Sequence, residues 1–296
     1  MIGYRISQAD LEAQIALRFP RWLAKAATRT AKLILDGRFN ETSSIWSEIK
    51  PLYMELQGGS KCAYCERKLE SDAHGRGEQD IEHFRPKGRV TVWVSSDTTP
   101  ANPVTIMPVP SDTLGYFWLA YHPFNYCAAC KPCNSALKSD KFPVTGTYDF
   151  TVRRTPMDLL SEKPLLIYPF GDFDVDPTKL IGFVGVSPFA IATSGLDRAR
   201  GLTTIDFFRL DSAEERSNLL LERARVIIAL HPQLKVLKGR SSAATKAMAQ
   251  KIVTSFKSPK APHTNCTVSF CDLFQKKRKV ADAIFEKAVE FVLSKS

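Results

Sequence analysis

The sequence predicts an α+β protein, mainly helical, with a small metal-stapled core set inside helical flanks. Three observations carry that expectation: helically spaced apolar residues at both ends of the chain, two Cys-x-x-Cys pairs in its middle, and short β-type runs beside and after those pairs. With 296 residues, 44% hydrophobic and 24% charged, the composition is that of an ordinary globular protein of one or two domains.

Residues 7–56 read as helices. "SQADLEAQIALRF" opens with Ser7 as a cap, "PRWLAKAATRTAKLILDG" begins at a proline and stops at Gly37, and "SSIWSEIKPLYMELQGG" stops at a glycine pair. Residues 58–62 turn into the first cysteine pair. "DIEHF" reads as a strand. The stretch 90–113, rich in Pro, Thr and Ser, reads as a long surface excursion. Between 164 and 193 the runs "PLLIYPF", "KLIGFVGV" and "FAIAT" alternate with turn residues and predict a small hairpin or sheet. Helices then resume: "DSAEERSNLLLERARVIIAL", with Asp211 and Glu214 placed as a capping box, then 241–256, then the final "FCDLFQKKRKVADAIFEKAVEFVLSKS". This divides the chain into an N-terminal helical region (1–57), a core with its insert (58–145) and a C-terminal region with a basic end (146–296).

The first residues show no basic segment followed by an apolar one, and no apolar run approaches the roughly 18 residues of a membrane span. A cytoplasmic protein with no membrane partner is the expectation. The formal charge is +10, and residues 231–296 hold 13 Lys/Arg against 4 Asp/Glu, so nearly all of the excess lies there. Such an excess suits a polyanion. "KKRKV" at 276–280 reads as the basic face of a terminal helix.

Seven cysteines stand at 62, 65, 127, 130, 133, 266 and 271. An odd, clustered set argues against a disulfide framework and for metal binding in a reduced compartment. "CAYC" offers Cys62 and Cys65. In "CAACKPC" both Cys127–Cys130 and Cys130–Cys133 have the two-residue gap that lets two thiolates meet on one tetrahedral Zn²⁺. The long stretch of chain between Cys65 and Cys130 exceeds the usual zinc-ribbon spacing and requires a structured insert. Cys266 and Cys271 have no such pattern.

Between the pairs lies "EQDIEHFRPKGR". On a strand, Asp80 and Glu82 share one face, Ile81 and His83 the other. At the strand's end a carboxylate can hold a divalent metal while the imidazole takes a proton from water, the division of labour that metal-assisted phosphodiester hydrolysis needs. Arg85 and Lys87 follow as phosphate-binding cations. His74 reads as a loop residue and His122, before Pro123, as structural.

"CAYCE", "DIEHFRPK", Asn125, "CKPCN" and "KFP", in that order, resemble the HNH endonuclease (ββα-metal) superfamily, and more narrowly the HNH proteins of Septu-type and retron-associated anti-phage defence systems. The resemblance covers 62–66, 80–87 and 125–143, with a weaker echo after 160. It implies His83 as general base, and Glu82 with Asn134 as ligands of a catalytic Mg²⁺ or Mn²⁺. Asp80 becomes a ligand or its support, and Asn125 a scaffold residue orienting His83. It selects Cys130 and Cys133, with Cys62 and Cys65, as the structural zinc ligands, and makes Lys138 the family's lysine, counted with Arg85 and Lys87 as a nucleic-acid contact. A DNA substrate, or RNA such as tRNA, and an ATPase partner protein are implied in the same way. A zinc-stapled binding module without catalysis is the rival of another class.

Overall fold

The computed structural model describes residues 1–70, 75, 77–95 and 105–295. His74 and the middle of the 90–113 insert lie outside the described residues.

The N-terminal region forms α1 (Gln8–Arg18) and α2 (Trp22–Asp36). Ser7 caps α1 by accepting from the Asp10 N–H, and α2 ends on Gly37 at φ +67°. A 3₁₀ turn, Trp46–Ile49, runs into α3 (Lys50–Leu56). Gly58, at φ +79°, lies so close to the turn at 259 that a Cβ there would sit 2.1 Å from the Pro259 carbonyl oxygen. Backbone conformation and space both require glycine at this entry to the first cysteine pair.

The core is a hairpin-like pair of strands separated by the insert. β1 (Gln79–His83) and β2 (Tyr126–Cys130) pair antiparallel with Glu82 opposite Cys127 and His83 opposite Tyr126. β2's outer edge is covered by a side chain. Buried Gln57 accepts from the Ala128 N–H and donates to the Ala128 carbonyl, imitating a third strand, while the Ala63 N–H also reaches that carbonyl. After β2 the chain makes a wide helical turn of π type, Pro132–Lys138, closed by the Ser139 N–H on the Asn134 carbonyl.

The C-terminal region begins with α4 (Pro177–Leu180) and the hairpin β3 (Ile181–Val184) and β4 (Ser187–Ala190), turning at Gly185 with φ +61°. The run 164–170 is not a strand of that sheet. It passes the N-terminus as irregular chain, bonded on both sides to Tyr4. α5 (Gly195–Phe207) packs on β4. α6 (Ser217–Lys238) is the axis against which α7 (Ala243–Lys257), α8 (Thr264–Lys276) and α9 (Arg278–Leu293) lie.

Two helical boundaries differ from the sequence expectation. α6 starts at Ser217, not at the Asp211–Glu214 box, because Arg216 is turned inward to the Phe208 carbonyl and the Cys133 sulfur. The final helix is two helices, broken at Lys277 (φ −141°) inside the four consecutive cations. The break lets Phe274 on one side and Ala281 and Ala288 on the other be buried, while 275–280 stay exposed. One hydrophobic core runs through all three stretches of the chain, from Leu11 through Ile81 to Ala288. No described helix is long and apolar enough to cross a membrane.

His122 fixes the approach to β2. Its Nδ1 accepts from the Phe124 N–H, 3.1 Å away, and burial pushes its pKa down to about 4. The folded state therefore binds no proton there where the unfolded chain, with a pKa near ~6.5, already does, so stability falls as pH drops from about 6.5 toward 4. Replacing His122 by Asn keeps a capping acceptor and removes the titration. Chemical denaturation at pH 7 and pH 5 should show the wild type losing about 1–2 kcal/mol more than the variant over that interval, given partial solvent screening of the ring.

Candidate metal centre and adjoining cleft

The two knuckles converge as their spacing allows. The Sγ atoms of Cys62, Cys65, Cys130 and Cys133 all lie within 4.8 Å of one another, and all four residues are buried. Cys65 and Cys130 are 3.8 Å apart. Sulfurs bound at ~2.3 Å to one tetrahedral ion stand about 3.8 Å from each other, whereas a disulfide holds them near ~2.05 Å. The cluster therefore fits a structural metal such as zinc. Cys127 stays outside it, buried across the strand pair from Glu82, and Cys266 and Cys271 are buried elsewhere. Both Arg216 terminal nitrogens lie 3.7 Å from the Cys133 sulfur. A guanidinium there offsets part of the charge of four thiolates. Arg216 is remote from Cys133 in sequence, and no motif around it marks this role.

The first knuckle is held by the C-terminal region. Glu66, at φ +60°, accepts from the His263 N–H through its carbonyl and from the Asn265 N–H through its carboxylate at the start of α8.

A cleft of about 480 Å³ is lined by Asp80, Glu82, His83, Lys87 and Asn134, the last of which directly follows Cys133 of the cluster. Alternation along β1 does not separate Glu82 from His83 here, since the strand ends at His83 and both border the cleft. Glu82 is buried and paired with Lys138, whose Nζ lies 2.8 Å from Oε1 and also donates to the His83 carbonyl at 2.9 Å. Burial raises the Glu82 pKa to about 7, against the pull of Lys138.

The His83 ring is held by three contacts. Nε2 lies 3.1 Å from the Ala120 carbonyl, Trp46 meets it edge-on at 4.7 Å, and Tyr126 does so at 5.0 Å. A carbonyl only accepts, so Nε2 carries the proton and Nδ1 keeps its lone pair. Burial, then Lys87, holds the imidazole pKa well below the usual histidine range, so the ring is neutral near pH 7.

Asn125 is fully buried and ties down the chain just past His83. Its Oδ1 accepts from the Arg85 N–H and its Nδ2 donates to the Arg85 and Leu119 carbonyls, while the Phe84 N–H bonds to the Asn125 carbonyl. Asp80 is half exposed, 3.4 Å from Lys131. Asn134 borders the cleft from the first turn after Cys133.

Two of the three expected phosphate contacts are corrected by the structure. Arg85, 1% exposed, points away from the cleft into a cage of Phe84, Tyr116 and Phe142, paired with Glu162 and bonded to the Leu159 carbonyl. Lys138 is fully buried beneath Glu82 and His83. Only Lys87 of the three faces the cleft, its Nζ 4.8 Å from the Trp46 ring and 5.2 Å from that of Phe39. Phe39 and Trp46, which line the cleft from the N-terminal region, carry no motif that would have marked them.

Comparison with protein-family models, curated proteins and solved structures finds no match to this chain.

Two outcomes test the centre. Elemental analysis should find about one zinc per chain, and Cys62→Ser or Cys133→Ser should lose the metal together with the folded state. Arg85→Met should destabilise the protein by about 3–5 kcal/mol in denaturant, because Glu162 is left buried and unpaired. Arg85→Met together with Glu162→Gln should recover most of that loss.

Proposed function

We propose that this chain is a metal-dependent endonuclease of the HNH type that hydrolyses DNA phosphodiester bonds, stapled by a structural zinc. The observation that carries the reading is the shared cleft. Glu82 and His83 at the end of β1, and Asn134 at the start of the helical turn after β2, border one cavity, and Asn134 directly follows Cys133 of the cysteine cluster.

His83 is the general base. Its Nδ1 lone pair faces the task of accepting a proton from water, and the Ala120 carbonyl on the opposite nitrogen fixes the ring and favours the imidazolium that results. The Glu82 carboxylate and the Asn134 amide oxygen are hard ligands of the kind that hold Mg²⁺ or Mn²⁺. Such a cation, when bound, supplies neutralisation of the charge that builds on the phosphate and its leaving oxygen. Lys138 fixes the Glu82 carboxylate and the His83 backbone at one point. Asn125 holds the loop that follows. Asp80, at the rim, is placed to support the cation or the attacking water.

The resemblance of the motif set extends this reading to the effector of a bacterial anti-phage defence system working with an ATPase partner. That extension rests on the motifs alone. RNA is the competing substrate for the same residues.

The test uses purified protein, with and without the products of its neighbouring genes, on plasmid DNA and total RNA in Mg²⁺ or Mn²⁺. His83→Ala should lower cleavage roughly 10²- to 10⁴-fold while folding and zinc content stay unchanged. EDTA should abolish cleavage at a concentration that leaves the zinc in place. Wild-type activity in His83→Ala, or full activity in EDTA, would remove the assignment.

A further inference from the structure

The cleft has a wall that phosphodiester chemistry does not need. Phe39, in the loop after α2, and Trp46, in the turn before α3, line it together, their ring centroids 6.1 Å apart and tilted by 40°. Neither ring is fully buried. Lys87 lies over both, at 5.2 Å and 4.8 Å, and burial lowers its pKa from the ordinary lysine value. Arg89 stands at the rim, exposed and paired with Asp140 at 2.6 Å. One wall of the cavity is thus aromatic and cationic, and the other holds Glu82, His83 and Asn134.

We infer that Phe39 and Trp46 form a stacking platform for an unstacked base, so that the cleft takes single-stranded or locally opened nucleic acid in preference to continuous duplex. This deepens the nuclease reading of the same cleft and rests on it. An aromatic ring face binds any base, because every base has a π-face, but only a base removed from its own helical stack can offer it. The cavity volume is that of a site for a small molecule, room for about one nucleotide. Lys87 connects the two needs. A phosphate entering the cleft draws the ammonium off the rings, and the base replaces it there. That exchange is favourable because a base–aromatic stack is worth more than the partly exposed cation–π contact it displaces. Trp46 also packs on His83, so Phe39 gives the cleaner test.

The experiment measures equilibrium binding by fluorescence anisotropy, using full-length protein with His83 intact, in EDTA at a concentration that leaves the zinc in place, so that nothing is cut and the support of Trp46 is unchanged. The probes are labelled strands of about 12 nucleotides, within the span of known single-strand sites. They comprise single-stranded DNA, single-stranded RNA of the same sequence, the blunt DNA duplex, and an abasic DNA strand that keeps every phosphate. The intact single strands should bind more tightly than the duplex, and the abasic strand should bind roughly 5- to 150-fold more weakly than the intact one. Adding Phe39→Leu, which keeps apolar volume without a π-face, should cost a similar factor on intact strands and little on the abasic strand. Phe39→Tyr should restore binding. Equal affinity for abasic and intact strands, duplex binding as tight as single-strand binding, or no effect of Phe39→Leu would each overturn the inference. The DNA and RNA arms show which strand is preferred. Cleavage by wild-type protein that ignores base content would remove the platform and keep the nuclease. Failure to cleave any nucleic acid would remove the nuclease reading by a separate result.

Discussion

The convergence of four buried thiols from two knuckles widely separated in sequence is the constraint on which the core depends. A strand pair this short has little stability in isolation. Here its sulfur ligands flank it in sequence and meet at one end, where Cys130 lies opposite Gln79. Cys62 and Cys65 precede β1, Cys130 ends β2, and Cys133 opens the helical turn that carries Asn134. Fixing the sulfurs therefore fixes the register that sets Glu82 opposite Cys127, and aims the turn at the end of β1. Arg216, arriving from the C-terminal region, adds a cation to a cluster that would otherwise concentrate negative charge in the interior.

The electrostatics of the cleft follow from burial more than from any single pair. Glu82 and His83 are both removed from water, and each is driven toward its neutral form, the acid upward and the base downward. Lys138 opposes the first shift and adds to the second. One ammonium thus biases the acid toward its charged form and the imidazole toward its neutral form. That combination suits a carboxylate that binds cations beside an imidazole that accepts protons.

What is legible in the sequence is local. Helix limits at Ser7, Gly37 and the 58–59 glycine pair follow from capping chemistry that acts within a few residues. The cysteine cluster follows from a spacing rule, and the choice of Cys133 over Cys127 from motif resemblance. What is not legible depends on contacts between distant segments. Arg85 looks like a phosphate ligand in "HFRPK" and is instead the partner of Glu162, far along the chain, because nothing local reveals which way a side chain leaves the strand's end. Lys138 misleads for the same reason. Gln57, which completes the edge of β2, and Phe39 and Trp46, which wall the cleft, belong to a helical region whose pattern speaks only of packing. The break at Lys277 has no breaker residue to announce it.

The position of Phe39, Trp46 and Gln57 has a consequence for how this protein can be dissected. The recognisable motif ends where the helical flank begins, yet the flank supplies the edge partner of β2, one support of the His83 ring and one wall of the cleft. The C-terminal region supplies the cation at the cysteine cluster and the backbone donors that hold Glu66. The motif is therefore a legible insertion in a larger cooperative unit, and not a portable cassette. Grafting 58–145 into another scaffold would carry Glu82, His83 and Asn134 without the surfaces that desolvate and orient them. Exchange between related chains would succeed only along boundaries drawn outside all three regions.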